Sequence, residues 1–130
     1  EILIGLVGSE MCIRDSPKVV DYLYDHFDEF KLLLTSGENS VYQEFIHRVV
    51  ELDTECTVKY IEASGNDAIT SGRLTPELNH LLSSAFYTGM FEVIIHDMPK
   101  AQALEHIRKM RRFYTAGWQT IFFTDGGDVV

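Results

Sequence analysis

The 130-residue chain has only two cysteines and three prolines. Two cysteines cannot build the disulfide framework of a small secreted scaffold. With so few prolines and no low-complexity tract, the chain is neither fibrous nor linker-like. No apolar run approaches the roughly 20 residues of a membrane helix, which points to a soluble, cytoplasmic domain with no membrane partner. Basic residues are also scarce: 11 Lys and Arg against 20 Asp and Glu give a formal net charge of −9. That balance repels phosphates and disfavours nucleic acid as a direct partner of these residues. Apolar side chains, in contrast, make up 45% of the chain, which excludes disorder and suits one domain with one core.

The first sixteen residues read as foreign. Leu6-Val-Gly-Ser-Glu-Met-Cys-Ile-Arg-Asp-Ser16 matches the translation of a transposase-type sequencing adapter, and Glu1–Gly5 lie upstream of it. A signal peptide is the competing reading, but the short apolar run lacks a basic flank and is broken by glycine. Residues 1–16 are therefore set apart from functional reasoning, as a tag would be. Without Arg14, Glu1, Glu10 and Asp15, the remainder holds 10 basic and 17 acidic residues. It also holds a single cysteine, Cys56, which on this reading has no intrachain disulfide partner and suits a reducing compartment.

Hydrophobic periodicity predicts an all-α fold, an antiparallel bundle of four main helices. The first runs from about Pro17 to Leu34, with Val20, Leu23, Phe27, Phe30 and Leu34 as its apolar stripe and Ser36-Gly37 as its stop. The second runs from about Ser40 to Ala63, with Phe45, Val49, Leu52, Cys56 and Tyr60 inward and Glu44, Arg48, Glu51, Glu55 and Glu62 outward. A polar, glycine-punctuated loop follows over 64–73. The third starts at Thr75-Pro-Glu77, an N-cap followed by proline and a first-turn carboxylate, and continues to about His96. The fourth runs from Pro99 to about Phe123, and residues 125–130 form a frayed tail.

The last two helices carry more apolar surface than a monomeric bundle needs. The excess lies over Phe86–Ile95 and Phe113–Phe123. A patch of that size marks an interface. The pattern therefore predicts a two-fold dimer in which the last two helices of each copy form an intermolecular four-helix bundle. The expected interface is Tyr87, Gly89, Met90, Phe91, Ile94, Tyr114, Gly117, Trp118, Ile121 and Phe122. Gly89 and Gly117 each cost about 1 kcal/mol relative to alanine inside a helix, a cost best explained by close helix approach.

Chemistry-bearing motifs are few. Glu44-Phe-Ile-His47 and Glu77-Leu-Asn-His80 are Glu-x-x-His pairs, the spacing of a di-iron carboxylate bundle when both face inward. Helical geometry puts both on the polar side, so no metal or cofactor is expected. His96-Asp97 at a helix turn is explained by the helix dipoles. Lys100, Arg108, Lys109, Arg111 and Arg112 read as a solvated face, not a nucleic-acid site. No phosphate-binding glycine loop, paired-cysteine zinc spacing or nucleophile elbow is present, so no catalytic residues are assigned and the chain is not expected to be an enzyme. Phe27, Phe30, Phe45, Cys56, Tyr60 and Phe86 are the candidate lining of a ligand cavity, with ordinary core as the alternative reading.

Ser83-Ser-Ala-Phe-Tyr-Thr-Gly-Met-Phe-Glu-Val93, His96-Asp-Met-Pro99 and Arg112-Phe-Tyr-Thr-Ala-Gly-Trp118 resemble the C-terminal regulatory domain of TetR-family transcriptional regulators. Phe27-Asp-Glu-Phe-Lys-Leu-Leu-Leu34 and Tyr42-Gln-Glu-Phe-Ile-His47 fit the same pattern, so the resemblance spans 17–124. It implies an effector-sensing and homodimerising domain of a repressor. Such a domain would meet operator DNA only through an N-terminal helix-turn-helix domain, which nothing in this sequence resembles. The alternatives from the residues alone are a stand-alone helical dimer binding a hydrophobic small molecule, a helical protein–protein adaptor and a di-iron enzyme.

Overall fold

The computed structural model describes residues 18–37 and 39–123. The segment read as foreign, 1–16, and the tail, 125–130, lie outside the described residues. Within them the fold is all-α. Five helices pack together: α1 (Lys18–Asp25), α2 (Phe27–Thr35), α3 (Asn39–Ser64), α4 (Pro76–Ile95) and α5 (Lys100–Phe122). None is long and apolar enough to cross a membrane.

The expected first helix is two. His26 leaves the helical region, with φ −120° and ψ 36°, and separates α1 from α2. No proline or glycine marks the break, and tertiary bonds flank it. The Tyr24 hydroxyl donates to the Met98 carbonyl at 2.7 Å, and the Lys31 ammonium donates to the Ile95 carbonyl at 2.7 Å. These bonds hold residues on either side of His26 against one corner, the turn between α4 and α5. The kink lets α1 pack on α5 while α2 packs on α4.

The other helices begin and end within a residue or two of their sequence signals. The Thr75 hydroxyl accepts from the Leu78 amide at 3.1 Å, and Pro76 opens α4. Gly37, Gly65 and Gly72 adopt positive φ where the chain leaves a helix or turns.

Helix α4 is the centre of the molecule, packed by α2, α3 and α5. Phe86, Tyr87, Met90, Phe91, Val93 and Ile94 are buried along it. That placement corrects the expected interface. Tyr87, Met90, Phe91 and Ile94 are at most 1% exposed, and Trp118 is 7% exposed, so they serve this chain's own core. The apolar excess of α4 is met by three neighbours within the monomer.

Two cores result. The larger joins α1–α4 and the start of α5. The smaller gathers Ile61, Ala68, Leu74 and Trp118, with Tyr114, Ile121 and Phe122 packed on it. A Cβ on Gly89 would meet Met110 Cε at 3.1 Å, so this glycine leaves room for the end of a methionine side chain from α5. A Cβ on Gly117 would meet nothing within 4 Å among the described residues, so no close approach among them explains that glycine.

The smaller core is closed by the 65–75 loop gripping the end of α5. The Arg73 guanidinium donates to the carbonyls of Ile121 at 2.7 Å and Phe122 at 3.1 Å, and Asn66 Nδ2 donates to Phe122 at 3.0 Å. These are carbonyls the helix itself cannot satisfy, and a cation suits that end of the dipole. Arg73 also pairs with Asp67, and its hydrogen bond holds the Asp67 carboxyl below its ordinary value of 3.8.

Replacing Arg73 by alanine is expected to lower unfolding free energy by about 1–3 kcal/mol, the scale for hydrogen bonds to a charged group. Because the Asp67 value is depressed in the fold, its contribution is complete above the ordinary 3.8 and is lost as pH falls through the lower folded-state value. Urea denaturation of R73A and the parent at neutral and strongly acidic pH checks both. The gap is expected to narrow in acid.

Candidate functional site: a polar seam and the cleft above it

Helix α3 buries the expected Phe45 and Val49, but from its middle onward the inward stripe runs one residue away from Leu52, Cys56 and Tyr60. Phe45, Ile46, Val49, Val50, Asp53, Thr57 and Ile61 are buried, while Tyr60 is 58% exposed. The expected stripe of Leu52, Cys56 and Tyr60 lies along the flank of that surface. The true stripe is polar in its middle, which is why an apolar pattern misses it.

Asp53 is 1% exposed. Its carboxylate accepts from the Ser83 hydroxyl at 2.7 Å and from the Tyr87 hydroxyl at 3.1 Å, both on α4. The Thr57 hydroxyl donates back to the Asp53 carbonyl at 3.0 Å. Asn79, one turn before Ser83, is 3% exposed. Its Nδ2 donates weakly to the Thr54 carbonyl at 3.4 Å, and its Oδ1 accepts from no group among the described residues. Asn79, Ser83 and Tyr87 recur every four residues, so they form one polar strip of α4 laid along Asp53 and Thr57 of α3.

Beside Asn79 lies an open cleft of about 600 Å³ between α3, the loop and the start of α4. Thr54, Val58, Ile69, Leu74 and Pro76 form its walls, with Glu55, Lys59 and Glu62 also lining it. Its size falls in the range of small-molecule sites.

The six candidate cavity residues do not come together. Phe30 and Phe45 are buried with ring centroids 6.0 Å apart, and Phe45 continues to Phe91 at 5.4 Å. Phe86 is buried against Tyr114 at 5.2 Å, edge to face. Phe27 is half-buried beside Tyr24. Tyr60, expected to face the interior, faces outward beside Phe122 at 6.0 Å, because the stripe runs through Ile61. Cys56 is half-buried on the flank of α3 and is disulfide-bonded, which corrects its reading as an unpaired buried thiol. The chain's other cysteine, Cys12, lies outside the described residues.

Glu44, His47, Glu77 and His80 are all exposed. The two imidazoles approach across α3 and α4 with centroids 6.3 Å apart, but no group of three metal-ligating side chains forms among the described residues. His96 pairs with Glu92, and Asp97 with Lys31 at 3.0 Å, at the end of α4. Of the basic residues of α5, Lys100 bonds Asp21 and Arg108 bonds Glu105, each on the solvated surface.

A second feature is the outer side of α4 and α5. Leu81 is 63% and Phe113 75% exposed. Gly89 against Met110 and Phe86 against Tyr114 fix an antiparallel register, which brings Ala85 level with Phe113 and Leu81 level with Gly117. Ala85 and Gly117 are also exposed. Of the ten expected interface residues, Gly117 is exposed, and Gly89, Tyr114, Ile121 and Phe122 are partly so.

Compared with known proteins, the chain matches no family model, no curated protein and no solved structure.

The polar seam yields a direct expectation. Asp53→Ala removes the acceptor shared by the Ser83 and Tyr87 hydroxyls and is expected to cost about 2–4 kcal/mol, whereas Ser83→Ala removes one donor and costs about 1 kcal/mol. Chemical denaturation measures both.

Proposed function

We propose that the chain is the effector-sensing and dimerising domain of a TetR-like transcriptional repressor. On this reading it meets operator DNA only through a separate helix-turn-helix domain. The observation that carries the reading is the outer face of its last two helices. Leu81 and Phe113 stand in water beside the small exposed residues Ala85 and Gly117. Such a two-helix face suits packing against its own copy in a four-helix arrangement. The dimer contacts of the proposal are accordingly Leu81, Ala85, Phe113 and Gly117, with Gly89 and Tyr114 at their edge.

Sensing is supported by the Asp53 seam and the cleft at Asn79. A bundle held only for its shape has no need of an inner carboxylate, since apolar residues of like volume serve at least as well. The same features would suit a stand-alone ligand-binding dimer, and only the coding sequence separates the two.

Two tests follow from this. Sequencing the source DNA upstream of the Pro17 codon is expected to find an in-frame, basic three-helix segment with a helix-turn-helix pattern. A native start codon close to Pro17 would remove the DNA-binding half of the proposal. Phe113→Glu and Leu81→Glu each bury a charge on association, so each is expected to shift gel-filtration elution to the monomer while leaving the helical circular-dichroism signal unchanged.

A further inference from the structure

We infer that the cleft at Asn79 is the effector site, and that it takes an apolar molecule ending in a hydrogen-bond donor, such as a hydroxyl or an amine. This rests on the sensing role proposed above and names its ligand chemistry. Asn79 Oδ1 is a buried acceptor without a donor, and leaving such a group unmet costs a protein stability. Its residue stands in the wall of an open cleft whose other walls are Val58, Ile69, Leu74 and Pro76. The oxygen is covered in this structure, so a ligand donor there would meet it as the Asn79 amide turns toward the cleft, while the ligand's apolar part covers those side chains. An ionised carboxylate only accepts hydrogen bonds, so it has nothing to offer Oδ1. It would also face Glu55 and Glu62, neither of which has an ion pair among the described residues, with Lys59 as the one cation of the lining.

The probes are n-octanol, n-octylamine and n-octanoate, which share one chain and differ at the head. In isothermal titration of the full chain, octanol and octylamine are expected to bind saturably, with octanoate about tenfold weaker or worse. Asn79→Leu is expected to weaken octanol about tenfold and to narrow the gap to octanoate. The same variant without ligand is expected to melt close to the parent, because it loses only the weak Nδ2 bond to the Thr54 carbonyl and none at Oδ1. Ile69→Asp, in the exposed turn, puts a charge in the apolar wall. It is expected to weaken both alcohol and amine with the fold intact, so the site stays testable if N79L fails to fold. Equal or tighter binding of octanoate would overturn the inference, as would no saturable binding of either donor. Octanol binding that neither variant changes would place the ligand elsewhere, overturning the site while leaving a sensing role standing. Failure to find an upstream DNA-binding segment would overturn the regulator reading and leave this result untouched.

Discussion

The Asp53 carboxylate, taken out of water between α3 and α4, constrains everything around it. A buried carboxyl group is tolerable only where hydrogen bonds meet it, and two hydroxyls on a neighbouring helix donate to this one. Ser83 and Tyr87 are one turn apart, so together they fix the rotation and height of α4 against α3. Helix α4 then supplies the surface on which α2 and α5 pack. Apolar contacts alone tolerate sliding, whereas two directed hydrogen bonds to one carboxylate do not. The polar seam thus selects one arrangement among the several that a strongly apolar helix could adopt.

Long side chains reaching across helix ends tie the rest together. Lys31 meets the end of α4, while Arg73 and Asn66 meet the end of α5. Tyr24 meets the turn between α4 and α5. The 65–75 loop consequently has two roles. Ile69 and Leu74 wall the cleft, and Asn66 and Arg73 of the same loop grip the last turn of α5. The cleft and the helix bearing Phe113 therefore share one element, and on the proposed reading occupancy of the cleft would act on α5 through it.

Much of this fold is legible in the sequence. Thr75-Pro76 and Ser36-Gly37 mark helix ends by local chemistry, and local chemistry survives folding. The near-continuous apolar surface of α4 correctly signals cover on most sides. What the pattern cannot say is who supplies the cover, and Tyr87, Met90, Phe91 and Ile94 are covered from within. The break at His26 carries no proline or glycine signal, and the bonds that flank it run to distant carbonyls at Ile95 and Met98. The site was hidden for a related reason. Periodicity rewards apolar residues, so Leu52, Cys56 and Tyr60 outscore Asp53 and Thr57 one position away. Asp53 becomes visible only when Ser83 and Tyr87 are brought beside it, and Asn79 only when its carbonyl oxygen is found without a donor.

The claim on which the proposed function turns is that the outer face of α4 and α5 meets a second copy of itself. Sedimentation equilibrium of residues 17–130 at tens of micromolar tests it most directly. The account predicts the mass of a dimer, reduced to that of a monomer by Phe113→Glu. A parent protein that sediments as a monomer at that concentration would contradict it.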